Sequence, residues 1–424
     1  MSELIFWFSL TFWSLFPESK TPWFEFSSIP LDGKDILLIL VSLYHLFLLA
    51  LESPPVKKRR QNWHFYLPLA TLIMLLYATV SMIGIEIEKI DARAMLYTLV
   101  LVGTSSFLGY SLIAKMSPQK VHQFLWKLTI FIAAIGILYT VFTFFSIGIG
   151  GVRTEANSVA SQVGVGRVTG PLIGSANGYF ILIPALAFSI QQLINSRHQT
   201  LLKLIVVFSL LLTTIGTGSR GALLCLGIFL LFLIFSLKQK KQAAITAFIV
   251  IILITPAIGI YLSKANRVAD RVQSFESSDR SAAYSISNQI VENRDIEINF
   301  LGSGYGSYWS WYLASIERDS DLIWTRFGDV LYHPHSTFII LVIELGLIGL
   351  IYFVHLWTIL FSLILSNFYT ARLPILNCGV TASAFGVFFD SFIFKGATYN
   401  AIWWIFLFAT LAINNSFLPN HHNN

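Results

Sequence analysis

Long, unbroken apolar runs dominate this chain and decide what it can become. Twelve of them, at 1–17, 36–51, 65–84, 94–114, 124–149, 178–195, 201–217, 221–237, 243–262, 337–365, 373–393 and 398–416, come near the ~20 residues that an α-helix needs to cross a bilayer. A transmembrane β-barrel would instead alternate apolar and polar residues in segments of about ten. Charged residues make up only 12% of the chain, where a soluble domain carries about 25%. Soluble globular, disordered and coiled-coil classes are thereby excluded. The expectation is an all-α polytopic membrane protein with about twelve transmembrane helices. Cys225 and Cys378 both lie inside apolar runs, so no disulfide framework is implied.

Two runs need comment. The first, Leu4 to Phe16, is thirteen residues long, follows Glu3 and not a basic segment, and has no small-residue cleavage site before Pro17. It reads as a retained short span and not as a cleaved signal peptide. The tenth is too long for one upright span and contains Gly346 and Gly349. A bend, or a separate short lead-in helix, is expected there.

Lys and Arg set the orientation. With the N-terminus in the cytoplasm, cytoplasmic loops and their flanks hold 13 of the 28 basic residues and the short outer loops 8. The other 7 lie in one long segment, 263–336, and long loops translocate largely regardless of charge. The bias places both termini inside, together with the Lys57–Arg60 run. That run serves as a topology anchor, with contact to anionic lipid as a secondary effect. The net charge of +6 then needs no nucleic-acid partner. Three parts follow: helices one to nine over 1–262, a partly helical outer domain over 263–336, and helices ten to twelve with a tail over 337–424.

In the outer segment, Ala282, Ala283, Ile286 and Ile290 fall at helical spacing, which predicts an amphipathic helix over 280–296 capped by Ser277 or Ser278. A glycine-rich turn, Gly302 to Gly306, follows. Next comes an aromatic cluster of Tyr305, Tyr308, Trp309, Trp311 and Tyr312, suited either to stacking on sugars or to a membrane-interface belt.

Arg167, Arg220, Arg280 and His335 stand out on the outer side. Arginine offers a planar fork of donors that fits phosphate and keeps its charge at any pH. Neutral histidine is available as a base. Taken alone, each has a plainer reading: Arg220 as a snorkelling interface residue, Arg280 as an exposed helix residue, His335 as part of a helix N-terminal turn. Glu344 inside an apolar run is either functional or a hydrogen-bond partner of a neighbouring helix, and His45 and His355 read as core residues. Asp319 and Asp321 match the D-x-D of metal-dependent nucleotide-sugar transferases, but no βαβ pattern surrounds them. His333 and His335 lack a third zinc ligand.

Five stretches, in this order, resemble the O-antigen ligase and polymerase superfamily of integral-membrane glycosyltransferases. Gly166 to Gly170, with Asn177 downstream, resembles an R-x-x-G piece. Thr217 to Ala222 is similar to T-x-S-R-[GA]. Asp279-Arg280 with Tyr284 resembles G-R-x-x-x-[WY]. Leu301 to Gly306 looks like a G-x-G turn. His333-Pro334-His335-Ser336, then Glu344-Leu345-Gly346 and Gly349, resembles H-x-H-N…E-x-G-x-x-G, with Ser336 where the family has asparagine. Asp390 also resembles a ligase position.

The resemblance implies a glycan donor carried on undecaprenyl diphosphate and an active site on the periplasmic face of the bacterial inner membrane. The acceptor would be a sugar hydroxyl on lipid A-core for a ligase, or another lipid-linked glycan for a polymerase. It implies His335, Arg220 and Arg280 as catalytic residues, Arg167, Asn177, His333 and Tyr305 as substrate-binding residues, and neither metal nor cofactor. Arg167 and Gly178 enclose ten residues, similar to the R-x10-G pattern of polymerases; no second copy occurs in 263–336, which favours the ligase. A secondary transporter is the alternative from another class, but would need ionisable groups near the midplane.

Overall fold

The computed structural model describes residues 2–15, 24–26, 29–31, 33–51, 63–83, 89–114, 116–145, 168, 172–173, 178–195, 198–236, 287–288, 291–292, 295, 300–307, 336–369, 374–389 and 397–415. The described chain is a helical bundle. In order come α1 (Ser2–Leu15), α2 (Gly33–Leu51), α3 (Trp63–Ser81), α4 (Lys89–Ala114), α5 (Pro118–Phe145), α6 (Tyr179–Asn195), α7 (Thr200–Gly216) and α8 (Arg220–Ser236). There follow a single turn α9 (Thr337–Ile339), a π-helical turn (Ile340–Glu344), α10 (Gly346–Tyr369), α11 (Pro374–Ala384) with a 3-10 turn (Phe385–Phe388), and α12 (Ala397–Asn415). Helices thus coincide with eleven of the twelve apolar runs; the ninth, 243–262, lies outside the described residues. Pro118–Thr143 and Gly346–Ser366 are long and apolar enough to cross a membrane by themselves, and the remaining described apolar helices are shorter.

The sequence reading missed a two-stranded antiparallel hairpin, β1 (Phe24–Phe26) with β2 (Ile29–Leu31), between α1 and α2. Strands of three residues are too short to leave a period-2 signal. Of the helix expected over 280–296, residues 287–288 and 291–292 are described, and they are helical.

The helices approach closely through small residues, as helices do when lipid replaces water and hydrophobic contrast between them is lost. A Cβ on Gly109 of α4 would stand 2.8 Å from Trp404 Cβ of α12, and one on Gly136 of α5 would stand 2.7 Å from Thr213 Oγ1 of α7. Gly379 of α11 faces Ala187 of α6 just as tightly. Polar side chains tie helices where no water can. Asn377 donates to the Leu363 carbonyl at 2.9 Å and accepts from Asn414 at 3.0 Å, Trp403 Nε1 donates to Ser383 Oγ at 3.0 Å, and Gln191 accepts from the Leu376 N–H at 3.1 Å. The outward faces are apolar: Leu4, Phe8, Ile73, Val80, Leu201 and Phe235 are all more than half exposed. Buried polar ties inside and bare hydrocarbon outside are the arrangement expected of a bundle solvated by lipid.

The break in the tenth run falls at its glycines. The π-turn ends at Glu344, Gly346 adopts φ +55°, and α10 starts there. Gly349 then packs on the backbone of Leu341, where a Cβ would lie 2.6 Å from the carbonyl carbon.

Candidate functional site

The turn that carries Arg220 joins α7 to α8. Gly218 takes φ +57°, Thr217 N–H bonds back to the Thr213 carbonyl at 3.0 Å and Gly218 N–H to Ile215 at 2.9 Å, closing the end of α7. Ser219 caps α8, its Oγ accepting from Ala222 N–H at 3.4 Å. Arg220 is therefore the first residue of α8, half-buried, at the positive end of the helix dipole. The positive potential of a helix start favours an anion at such a place.

Two other motif pieces meet this turn. Val168, the chain neighbour of Arg167, is buried and donates its N–H to the Gly216 carbonyl at 2.9 Å. Tyr179, two residues after Asn177, begins α6 and packs on the same place: a Cβ on Gly221 would lie 3.2 Å from Tyr179 Cε1 and 2.7 Å from Phe389 Cε2. The rings of Tyr179 and Phe180 are 4.2 Å apart, and those of Tyr179 and Phe389 6.2 Å. Gly386, in the 3-10 turn that ends α11, sits 2.5 Å from Tyr179 Oη by the same construction.

Ser336, next in the chain after His335, closes the ring. Its Oγ accepts from Ile339 N–H at 3.3 Å, capping α9, and donates to the Val387 carbonyl at 3.2 Å. The serine thus caps α9 with its own hydroxyl and ties it to the end of α11. Through Val387, Gly386, Phe389 and Tyr179, the chain neighbours of His335 and of Asp390 join the Arg220 turn at one end of the bundle.

A second assembly lies beside it. The loop 300–307 docks onto the π-turn: Ser303 N–H donates to Ile343 at 3.2 Å and Gly304 N–H to the Glu344 carbonyl at 2.9 Å. Gly302 (φ +80°) and Gly346 interlock. A Cβ on Gly302 would stand 2.6 Å from Gly346 N, and one on Gly346 would stand 2.6 Å from the Leu301 carbonyl carbon. The end of α3 holds the loop from the other side, with Tyr77 Oη donating to the Leu301 carbonyl and Ser81 Oγ accepting from Tyr305 N–H at 3.1 Å. Tyr305 is fully enclosed against Glu344. Burial, with the Glu344 charge adding, pushes its phenol well above the usual tyrosine range. A ring so placed has no open face for a sugar and instead props the loop. Glu344 is itself buried at this junction.

Of the expected site residues, Arg220 and Tyr305 are described. Arg167, Asn177, Arg280, His333 and His335 lie outside the described residues, as do Asp319, Asp321 and Asp390. The reading from sequence missed Tyr179, Phe389 and the capping role of Ser336. The first two end apolar runs and carry no signature of their own.

No curated protein and no solved structure matches the chain. Residues 205–354, about a third of its length, match the family model described as O-antigen ligase. The match includes the Arg220 turn, the Gly302–Gly306 loop, the histidine pair and Glu344, and excludes Arg167 and Asn177. Over that segment the chain is similar to the O-antigen ligase family, which supports the resemblance to the O-antigen ligase and polymerase superfamily of integral-membrane glycosyltransferases.

Proposed function

We propose that the protein transfers a glycan from undecaprenyl diphosphate to a sugar hydroxyl on lipid A-core, at the periplasmic face of the inner membrane. The observation that carries this reading is the meeting of the Arg220 turn with Ser336, the neighbour of His335, through Tyr179 and the 385–389 turn. Three stretches that are far apart in sequence thereby share one end of the bundle, as a base and a cation acting on one substrate must.

In this mechanism His335 takes the proton from the acceptor hydroxyl as it attacks the anomeric carbon. The leaving lipid diphosphate is already a stable anion, so no general acid is required. Arg220 and Arg280 neutralise the charge developing on it, with Arg167 as a further contact. Asn177 and His333 hold the substrate, and no metal takes part. A single displacement inverts the anomeric centre. Twelve spans with both termini cytoplasmic accommodate this. The path is supported by α8 leaving the site end at Arg220 and α9 starting there again at Ser336, as one crossing by the 243–262 run requires.

A lipopolysaccharide gel of a deletion strain tests the reaction. Loss of a ligase leaves core without O-antigen while lipid-linked polymer accumulates. Core carrying a single repeat unit would make the protein a polymerase, and an unchanged gel would remove it from this pathway altogether.

A further inference from the structure

α10 has two working flanks. Phe353 and Trp357 face Phe385 and Phe388, beside the Ser336 cap, with ring centroids 4.8 to 5.7 Å apart. At 3.6 residues per turn, Ile348, Ile351, Tyr352 and His355 fall on the opposite side. There they line a cleft of about 640 Å³ with Tyr66, Leu69, Ala70, Ile73 and Met74 of α3. That volume is within the ~300–1,000 Å³ of small-ligand sites. Tyr66, Ile73 and Ile351 are each more than half exposed, so the cleft opens sideways on the lipid-facing surface.

The cleft is polarised along its length. Its upper part, toward Met74 and Ile348, is apolar. Tyr352 Oη is already engaged with Thr71 Oγ1 at 3.2 Å. The lower part holds Tyr66, in the first turn of α3, and His355, whose Nε2 is buried and has no hydrogen-bond partner among the described residues. In sequence, the Lys57–Arg60 run precedes Trp63, the first residue of α3. A cluster of four basic residues just outside a membrane helix attracts anionic headgroups. Ser81, at the other end of α3, is fifteen residues from Tyr66, or roughly 22 Å. The polar end of the cleft therefore lies far from the end where the Gly302–Gly306 loop is held.

We propose that this cleft is a binding site for an anionic phospholipid of the leaflet that meets the N-terminal end of α3. One acyl chain fills the trough from Leu69 to Met74. The glycerol ester or phosphate accepts a hydrogen bond from His355, and the four basic residues that precede α3 in sequence favour an anionic headgroup. The lipid is distinct from the glycan donor, because the cleft and the Ser336 cap occupy opposite flanks of α10.

The test uses the purified full-length protein and phosphatidylglycerol carrying a photoactivatable diazirine in its acyl chain, with phosphatidylcholine of the same chains as comparison. Labelled peptides are mapped by mass spectrometry. Phosphatidylglycerol should label 66–74 and 348–355 at least fivefold more than phosphatidylcholine. Ala70→Trp, which fills the trough, should lower that labelling at least tenfold, and His355→Phe about threefold. Labelling of the exposed α2 residues Leu40 and Phe47 should stay unchanged and so report an intact fold. Should Ala70→Trp fail to fold, Ile351→Trp blocks the same trough from the other wall. Equal labelling by the two lipids, labelling that survives the filled trough, or displacement by an equimolar amount of undecaprenyl phosphate would each overturn the proposal. Because the measurement reads lipid contact and not transfer, it stands or falls apart from the glycosyltransferase reading.

Discussion

Arg220 and His335 are expected to fail differently when removed. In the proposed mechanism His335 acts on a proton that moves only in the transition state, so His335→Ala should lower kcat and leave donor affinity nearly unchanged. In the same mechanism Arg220 meets the diphosphate before and during reaction, so Arg220→Ala should weaken donor binding as well as turnover, by about 10²–10³ in rate. Arg220→Lys should rescue only in part, because lysine keeps the charge and loses the fork. Donor affinity, turnover and melting temperature measured on the purified variants check this; two destabilised variants with normal per-molecule activity would leave both residues as helix anchors. Ser336 offers a sharper comparison. Ser336→Ala loses the α9 cap and the bond to Val387, which should cost about 1 kcal/mol of stability. Ser336→Asn keeps a capping oxygen and should hold both melting temperature and activity. At this scale, sequence singles out a side chain whose chemistry is rare in membranes, as with Arg220. It was silent for Tyr179 and Phe389, which look like any other aromatic at the end of an apolar run and matter only through Gly221 and Gly386.

Between elements, the most demanding contact is the interlock of the 300–307 loop with the head of α10. Gly302→Ala and Gly346→Ala should each lose about 1–2 kcal/mol from the left-handed backbone alone, and more from backbone overlap. Gly227 of α8, with open space around its Cβ position, is the control: Gly227→Ala should leave thermal stability unchanged or slightly raised. A scan of melting temperature across the three variants decides the matter, and equal losses at all three would dissolve the interlock. The double variant Gly302→Ala, Gly346→Ala should lose less than the sum of the singles, because one contact is broken twice. The helices were legible in sequence, since a long apolar run can satisfy its backbone in lipid only as a helix, and Gly346 and Gly349 marked where the tenth would bend. The interlock was not legible. The G-x-G turn and the E-x-G-x-x-G stretch stand 40 residues apart and read as two separate signatures, whereas the fold makes them one surface. The hairpin escaped because three-residue strands carry no periodicity.

For the whole molecule, the orientation drawn from 13 inner against 8 outer basic residues is open to direct chemistry. A cysteine placed at Ser320 should react with a membrane-impermeant maleimide in intact spheroplasts; labelling only after lysis would invert the protein and remove the site from the periplasm. The native chain is a ready background, because its two cysteines, Cys225 and Cys378, are both buried. The orientation rests on loop charge alone and awaits that labelling, while the assembly of the site was not legible in sequence, because it depends on which helix ends meet. α10 links these levels. One flank carries the aromatic wall beside the Ser336 cap, the other lines the α3 cleft, and its head is fastened to the 300–307 loop. A single stiff rod with a ligand on each side obeys thermodynamic linkage. Whatever factor a lipid in the cleft applies to donor affinity, the donor must return to lipid affinity. Under the two proposals one titration therefore fixes the other, and the composition of the bilayer becomes a variable in donor binding.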